Sequence, residues 1–168
     1  NAGVSNRVTT DTLLEHDYKS VLLENNKRIF VAAYVSDLIR IQKIIDLSAL
    51  AGKKVCVLSK RSERIFTVAT NANFLHIPLE NQLNLNEYSK EDLEKLEDVV
   101  FIIAGTRNEP YNLLVKMLLD EEFGLTFNKE DKAILAPAHA WLSDDYGAAF
   151  GIKVCDEHFG YTTATNGI

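Results

Sequence analysis

Seven side chains in this sequence carry the donors that recognise phosphate, and they fall in three short turns. Ser36 follows one apolar run, Ser59, Lys60, Arg61 and Ser62 follow a second, and Thr106 and Arg107 follow a third, directly behind Gly105. Hydroxyls, guanidinium and ammonium groups and the unpaired N–H groups at helix starts are the chemistry that holds a phosphodiester oxygen. A plainer reading also stands. The hydroxyls can be helix caps and the cations a solvated rim, which accounts for each residue taken singly. The convergence of several such turns favours the phosphate reading.

Other chemistry finds little support. The histidines, His16, His76, His139 and His158, include no pair at the helical spacing of metal ligands. His139 follows a fourth apolar run and is either at the same edge or an ordinary turn residue. Asp144 and Asp145, near Trp141, read as an acidic helix start rather than a cation site. Gly-x-Gly-x-x-Gly, Gly-Lys-Ser/Thr and Gly-x-Ser-x-Gly patterns are absent, which argues against a nucleotide cofactor and against a serine nucleophile. Cys56 and Cys155 lie in apolar runs and read as buried, reduced thiols. No catalytic set and no metal site is complete in these residues.

The turns are positioned by strands and helices that alternate. Four apolar runs, Lys27–Tyr34, Lys53–Leu58, Asp98–Ala104 and Lys132–Ala136, each end at a small, polar or basic turn before a helix. Such alternation implies an α/β fold: a parallel, doubly wound, Rossmann-like sheet of about five strands with helices on both faces. Ile152–Val154 is the candidate fifth strand. Ligands of these sheets bind at the carboxyl ends of the strands, so the turns should share one edge.

Between the strands, helical spacing sets the expected faces. A helix opening near Asp11 presents Leu13, Leu14, Tyr18, Val21 and Leu22. A second, capped by Ser36 or Asp37, presents Ile41, Ile44, Ile45 and Ser48. A third, capped by Ser62, presents Ile65, Val68, Ala69 and Ala72. Leu75–Pro78 is expected as a minor edge strand and Ser89 as the start of a short acidic helix. Pro110 marks the first turn of a helix through Leu113, Leu114, Met117 and Leu118.

A length of 168 residues fits a single domain over 1–168, and 46% hydrophobic with 25% charged residues is an ordinary globular composition. The net charge of -6 argues against a free-standing nucleic-acid binder but leaves room for a local basic patch. No run reaches the roughly 20 apolar residues of a membrane span, and no secretory pattern is visible. The thiols point to a cytoplasmic setting. Asn1-Ala2 reads as the remnant of a purification tag, and Thr162–Ile168 ends without a closing element, so the chain is expected to be a piece of a longer protein.

Three segments carry a family resemblance. Val35-Ser36-Asp37-Leu38-Ile39-Arg40-Ile41-Gln42 resembles the Ala-Ser-Asn-Ile-His-Arg-Val-Gln motif of ribonuclease J. Gly52–Leu58 through Glu63 is similar to that family's Gly-Arg-Lys-Val-Ala-Val segment and the helix after it. Val99–Pro110 resembles its Val-Val-Leu-Thr-Thr-Gly-Ser-Gln-Gly-Glu-Pro turn, with Gly105, Glu109 and Pro110 retained. Order and spacing agree over residues 27–136. The resemblance is to the β-CASP domain of a metallo-β-lactamase-fold nuclease.

It implies an α/β insertion lying over a metallo-β-lactamase domain that holds two zinc ions, with single-stranded RNA passing between them. Ser36, Gly105 and Thr106 would line the RNA cleft, with Lys60, Arg61 and Arg107 as phosphate contacts and Tyr34 either a stacking face or a core residue. The His-x-His-x-Asp-His zinc ligands are absent, so zinc belongs to a domain not in this chain, which by itself is expected to be inactive. Ile39 stands where the family has histidine, Thr106-Arg107-Asn108 replaces Ser-Gln-Gly, and Trp141-Leu142-Ser143-Asp144 replaces Pro-Gly-Asn-Glu. These departures mark a divergent member. They keep a second reading open: a non-catalytic scaffold or dimerisation module that has lost its RNA contacts, with self-association allowed.

Overall fold

Apolar residues on both sides of a strand require cover on both sides, and the fold supplies it. The computed structural model describes residues 18–24, 26–107, 109–119, 122–128, 130–135 and 162–164. Strands β1 (Arg28–Tyr34), β2 (Lys54–Leu58), β3 (Val99–Gly105), β4 (Lys132–Leu135) and β5 (Thr162–Ala164) form one sheet in the order β2-β3-β1-β4-β5. Every pairing is parallel. The fifth strand is thus Thr162–Ala164, a stretch expected to hold no closing element; Ile152–Val154 lies outside the described residues, as do His16, His139, His158, Cys155 and Asp144-Asp145.

Strand period two divides the core. Phe30, Ala32 and Tyr34 of β1 join Val99, Phe101 and Ile103 of β3 on one face, while Ile29, Val31, Ala33, Val100, Ile102 and Ala104 point to the other. The first face is covered by α4 (Lys90–Glu94) and α5 (Glu109–Leu119), through Leu93, Tyr111, Leu114 and Met117. The second is covered by helix α1, described over 18–24, by α2 (Leu38–Leu50) and by α3 (Glu63–Asn71). Tyr18, Val21 and Leu22 are buried as expected; Leu13 and Leu14 lie outside the described residues.

Two expectations are corrected. On α3, Ile65 and Val68 are exposed, and the inward residues are Phe66 and Ala69. The helix follows an edge strand, so the sheet supports only part of its surface. Leu75–Pro78 is not a strand. The Gln42 side chain occupies its backbone groups: Gln42 Nε2 donates to the His76 carbonyl at 3.0 Å, and the His76 N–H donates to Gln42 Oε1 at 2.8 Å. The edge of β2 gains only an isolated bridge to Gln82.

At the amino end of β1 the Arg28 guanidinium is buried with Asp131. Nε donates to Oδ1 at 2.8 Å and Nη2 to Oδ2 at 2.5 Å, while the Leu93 and Thr126 carbonyls accept from Nη1 and Nη2 at 3.0 and 2.8 Å. Burial pushes the Asp131 carboxyl up, with Arg28 and the Asn128 N–H pulling it back. Removing one member leaves the other charge buried and uncompensated, so Asp131→Ala should cost about 3–5 kcal/mol in urea denaturation. A loss below about 1 kcal/mol, the range of an exposed pair, would show that the pair is not a structural anchor.

Candidate nucleic-acid interface

The strand order identifies where a ligand would bind. From β1 the chain passes through α2, on one face, to β2; from β3 it passes through α5, on the opposite face, to β4. β1 and β3 are neighbours whose chains leave toward opposite faces, so a crevice opens beyond their carboxyl ends. Tyr34 pairs with Gly105 at the ends of the two strands, and the Val35 N–H donates to the Gly105 carbonyl at 2.9 Å. Ser36 therefore stands beside Gly105, Thr106 and Arg107 at this point. Ser36, Thr106 and Arg107 are exposed there.

Local interactions shape each turn. Asp37, not Ser36, caps α2: its Oδ1 accepts from the Arg40 N–H at 3.1 Å, and its Oδ2 meets Arg40 Nε at 3.3 Å. This leaves the Ser36 hydroxyl out of the capping role. Across the crevice, the Thr106 N–H donates to Glu109 Oε2 at 3.1 Å. Gly105 is required beneath that carboxylate, since a Cβ there would lie 2.7 Å from Glu109 Oε2. Arg107 adopts φ 51, in the left-handed region, and is exposed.

The turn after β2 departs from expectation at its cap. Ser62 makes no side-chain cap on α3; instead its N–H donates to the buried Ser59 hydroxyl at 3.0 Å. Arg61 is exposed, but Lys60 Nζ lies 2.5 Å from Glu122 Oε2, and Lys116 holds the other Glu122 oxygen. The structure thus brings Ser36, Gly105, Thr106 and Arg107 together at the crevice and sets Lys60 and Arg61 to its side, beyond β2. Tyr34 is a core residue, buried with its ring 5.9 Å from that of Tyr111 in an edge-on contact, and offers no stacking face.

Three contributors escaped the reading of the sequence. Glu109 had a local signal, the Thr-x-x-Glu spacing of Thr106 to Glu109, which places a carboxylate within reach of a turn N–H. Glu122 and Lys116 had none, because their meeting with Lys60 is made only by the fold. Cys56 is a half-buried free thiol, pushed up to about 11 by burial, and so is protonated at neutral pH.

Comparison with known proteins gives the family. The family described as "Ribonuclease J, beta-CASP domain" matches residues 26–140, more than half of the chain. The chain belongs to that family. Ribonuclease J 2 of Staphylococcus epidermidis is 26% identical over 128 residues, which cover 76% of this chain and 22% of that protein. Ribonuclease J 2 of Staphylococcus aureus is 24% identical over the same span. The chain therefore spans 22% of the length of these relatives. The three segments that carry the β-CASP resemblance lie within the match.

No group of three or more His, Cys, Asp or Glu side chains that could hold a metal converges among the described residues. The β-CASP residues described thus do not fit a zinc site of their own. No helix among them is long and apolar enough to cross a membrane.

Two predictions follow from the turns. Gly105→Ala should displace the Glu109 carboxylate and cost about 1 kcal/mol, the worth of one hydrogen bond, and Glu109→Ala should cost about as much. Because both remove the same bond, the double variant should be little worse than either single; additive losses in urea denaturation would contradict this. At Glu122, hydrogen bonds from Lys116 and then Lys60 hold the carboxyl below its ordinary range. A lowered folded value stabilises above the unfolded value, and that stability disappears as pH falls through the folded value. Glu122→Gln should flatten this part of the acid limb of a stability–pH curve, leaving the neutral-to-acid difference smaller than in the parent chain.

Proposed function

We propose that this chain is the RNA-clamping β-CASP domain, one domain over 1–168, of a larger zinc-dependent ribonuclease of the metallo-β-lactamase fold. Its work is to hold a single-stranded RNA while a metallo-β-lactamase domain of the same protein, in the cytoplasm, cleaves the phosphodiester. Zinc in that other domain would supply the activated hydroxide. The present residues bind and orient, and alone they hydrolyse nothing. The observation that carries the reading is the meeting of Ser36, Gly105, Thr106 and Arg107 at the β1/β3 crevice, in a chain of the ribonuclease J β-CASP family. Exposed hydroxyls and an exposed arginine suit backbone phosphates, which carry no sequence information. Arg61 extends the basic rim.

One feature favours a scaffold or dimerisation module instead. Ile39 is 86% exposed where the resemblance has histidine, and Leu38, Ile65, Val68 and Phe74 line an apolar groove nearby in the α2–α3 layer.

Fluorescence anisotropy with a single-stranded oligoribonucleotide separates the two. Under the clamping reading, affinity falls with salt, each phosphate contact contributing about −0.7 to the slope of log K against log salt. Arg107→Ala should weaken binding about tenfold or more, as expected for one charge-assisted contact. A folded chain that binds no RNA at low salt would transfer the assignment to the scaffold.

A further inference from the structure

Glu122 stands in an unusual place for a carboxylate. Its side chain is only 5% exposed, yet each of its two oxygens meets a different lysine whose own side chain is about half exposed, 44% for Lys60 and 55% for Lys116. The residue is held there by a tight reverse turn. Glu122 and Leu125 exchange two backbone hydrogen bonds, of 3.0 and 2.8 Å, and Phe123 and Gly124 between them have φ 56 and 75, the twist of a type I′ turn. The Phe123 ring lies 6.0 Å from Lys60 Nζ, closing the Lys60 side of the turn. Leu125 is anchored in the core, so the turn has a fixed base.

Lys60 leaves β2 at the carboxyl edge, the edge that carries Ser36 and Thr106. A carboxylate between two lysines presents the oxygens that a phosphodiester would present. We propose that Glu122 is an internal counter-ion occupying a phosphate-binding position between Lys60 and Lys116, and that RNA engages this position by displacing it. This rests on the RNA-clamping reading and deepens it: the two lysines form a second contact point beside the crevice, and the 122–125 turn sets its affinity. A half-exposed pair of lysines can exchange one anion for another without unfolding the core, whereas a fully buried pair such as Arg28–Asp131 cannot.

The test uses the whole chain, the same oligoribonucleotide and thermal melts to confirm folding. Glu122→Gln should bind about fivefold tighter than the parent chain at low salt, and its salt slope should steepen by about 0.7 as Lys60 is released to a phosphate. The gain should vanish in Glu122→Gln/Lys60→Ala and shrink in Glu122→Gln/Lys116→Ala. Glu91→Gln, an exposed carboxylate on α4, controls for net charge and should change affinity less than twofold. Glu122→Asp, too short to reach both lysines, should move in the same direction by a smaller factor and serves if the glutamine variant does not fold. A gain no larger than that of Glu91→Gln, or one that persists without Lys60, overturns the inference while leaving the clamp intact. Folded parent and variant chains that both ignore RNA would overturn the clamp as well.

Discussion

Arg28 begins the central strand with its guanidinium fully out of water, and four hydrogen bonds make that burial tolerable. Two go to Asp131, the residue immediately before β4, and two reach carbonyls of Leu93 in α4 and Thr126 in the connection to β4. The charge can be satisfied only if these three segments arrive together. Asp131 is itself fixed by the Asn128 N–H, which donates to its Oδ2 at 2.8 Å. With Arg28 and Asp131 facing each other, the next pair in line is Ile29 with Lys132, which is the observed start of the β1–β4 register. A slip of one residue would turn Phe30 and Val31 to the wrong faces and strand two opposite charges in the core.

From that anchor β1 runs with all seven residues buried, flanked by β3 and β4. Phe30 concentrates the packing: its ring stacks on Phe101 at 5.0 Å, meets Phe127 edge-on at 4.3 Å and lies under the Arg28 guanidinium at 5.5 Å. The amino end of the sheet is therefore the densely packed end. The carboxyl end is built from exposed hydroxyls, a left-handed arginine and a glycine that admits a carboxylate. The buried ion pair and the exposed turns lie at opposite edges of one sheet, which lets the turns vary without disturbing the core.

Charge around the turns is mixed rather than simply basic. Asp37 faces Arg40, Glu109 braces Thr106, and Glu122 holds Lys60 and Lys116. In a chain of net charge -6 these carboxylates keep the cations oriented and moderate the local positive field. Arg107, which no carboxylate among the described residues pairs, is the cation most directly presented at the crevice.

The sequence alone determined the alternation of strands and helices, because runs such as Val99–Ala104, apolar at every position, can only be strands covered on both faces. It also located the crevice residues, since Ser36 and Gly105-Thr106-Arg107 directly follow those runs and a parallel sheet gathers such turns at one edge. It could not assign the inward face of α3, where Ile65 and Val68 satisfy helical spacing but have no sheet beneath them. Nor could it foresee that Gln42 would take the backbone groups of His76, or that Glu122 would close on Lys60 from sixty-two residues away. Those outcomes depend on which elements become neighbours, and that is set by packing across the whole sheet. Local periodicity records what a segment prefers; only the tertiary structure decides which charge it meets.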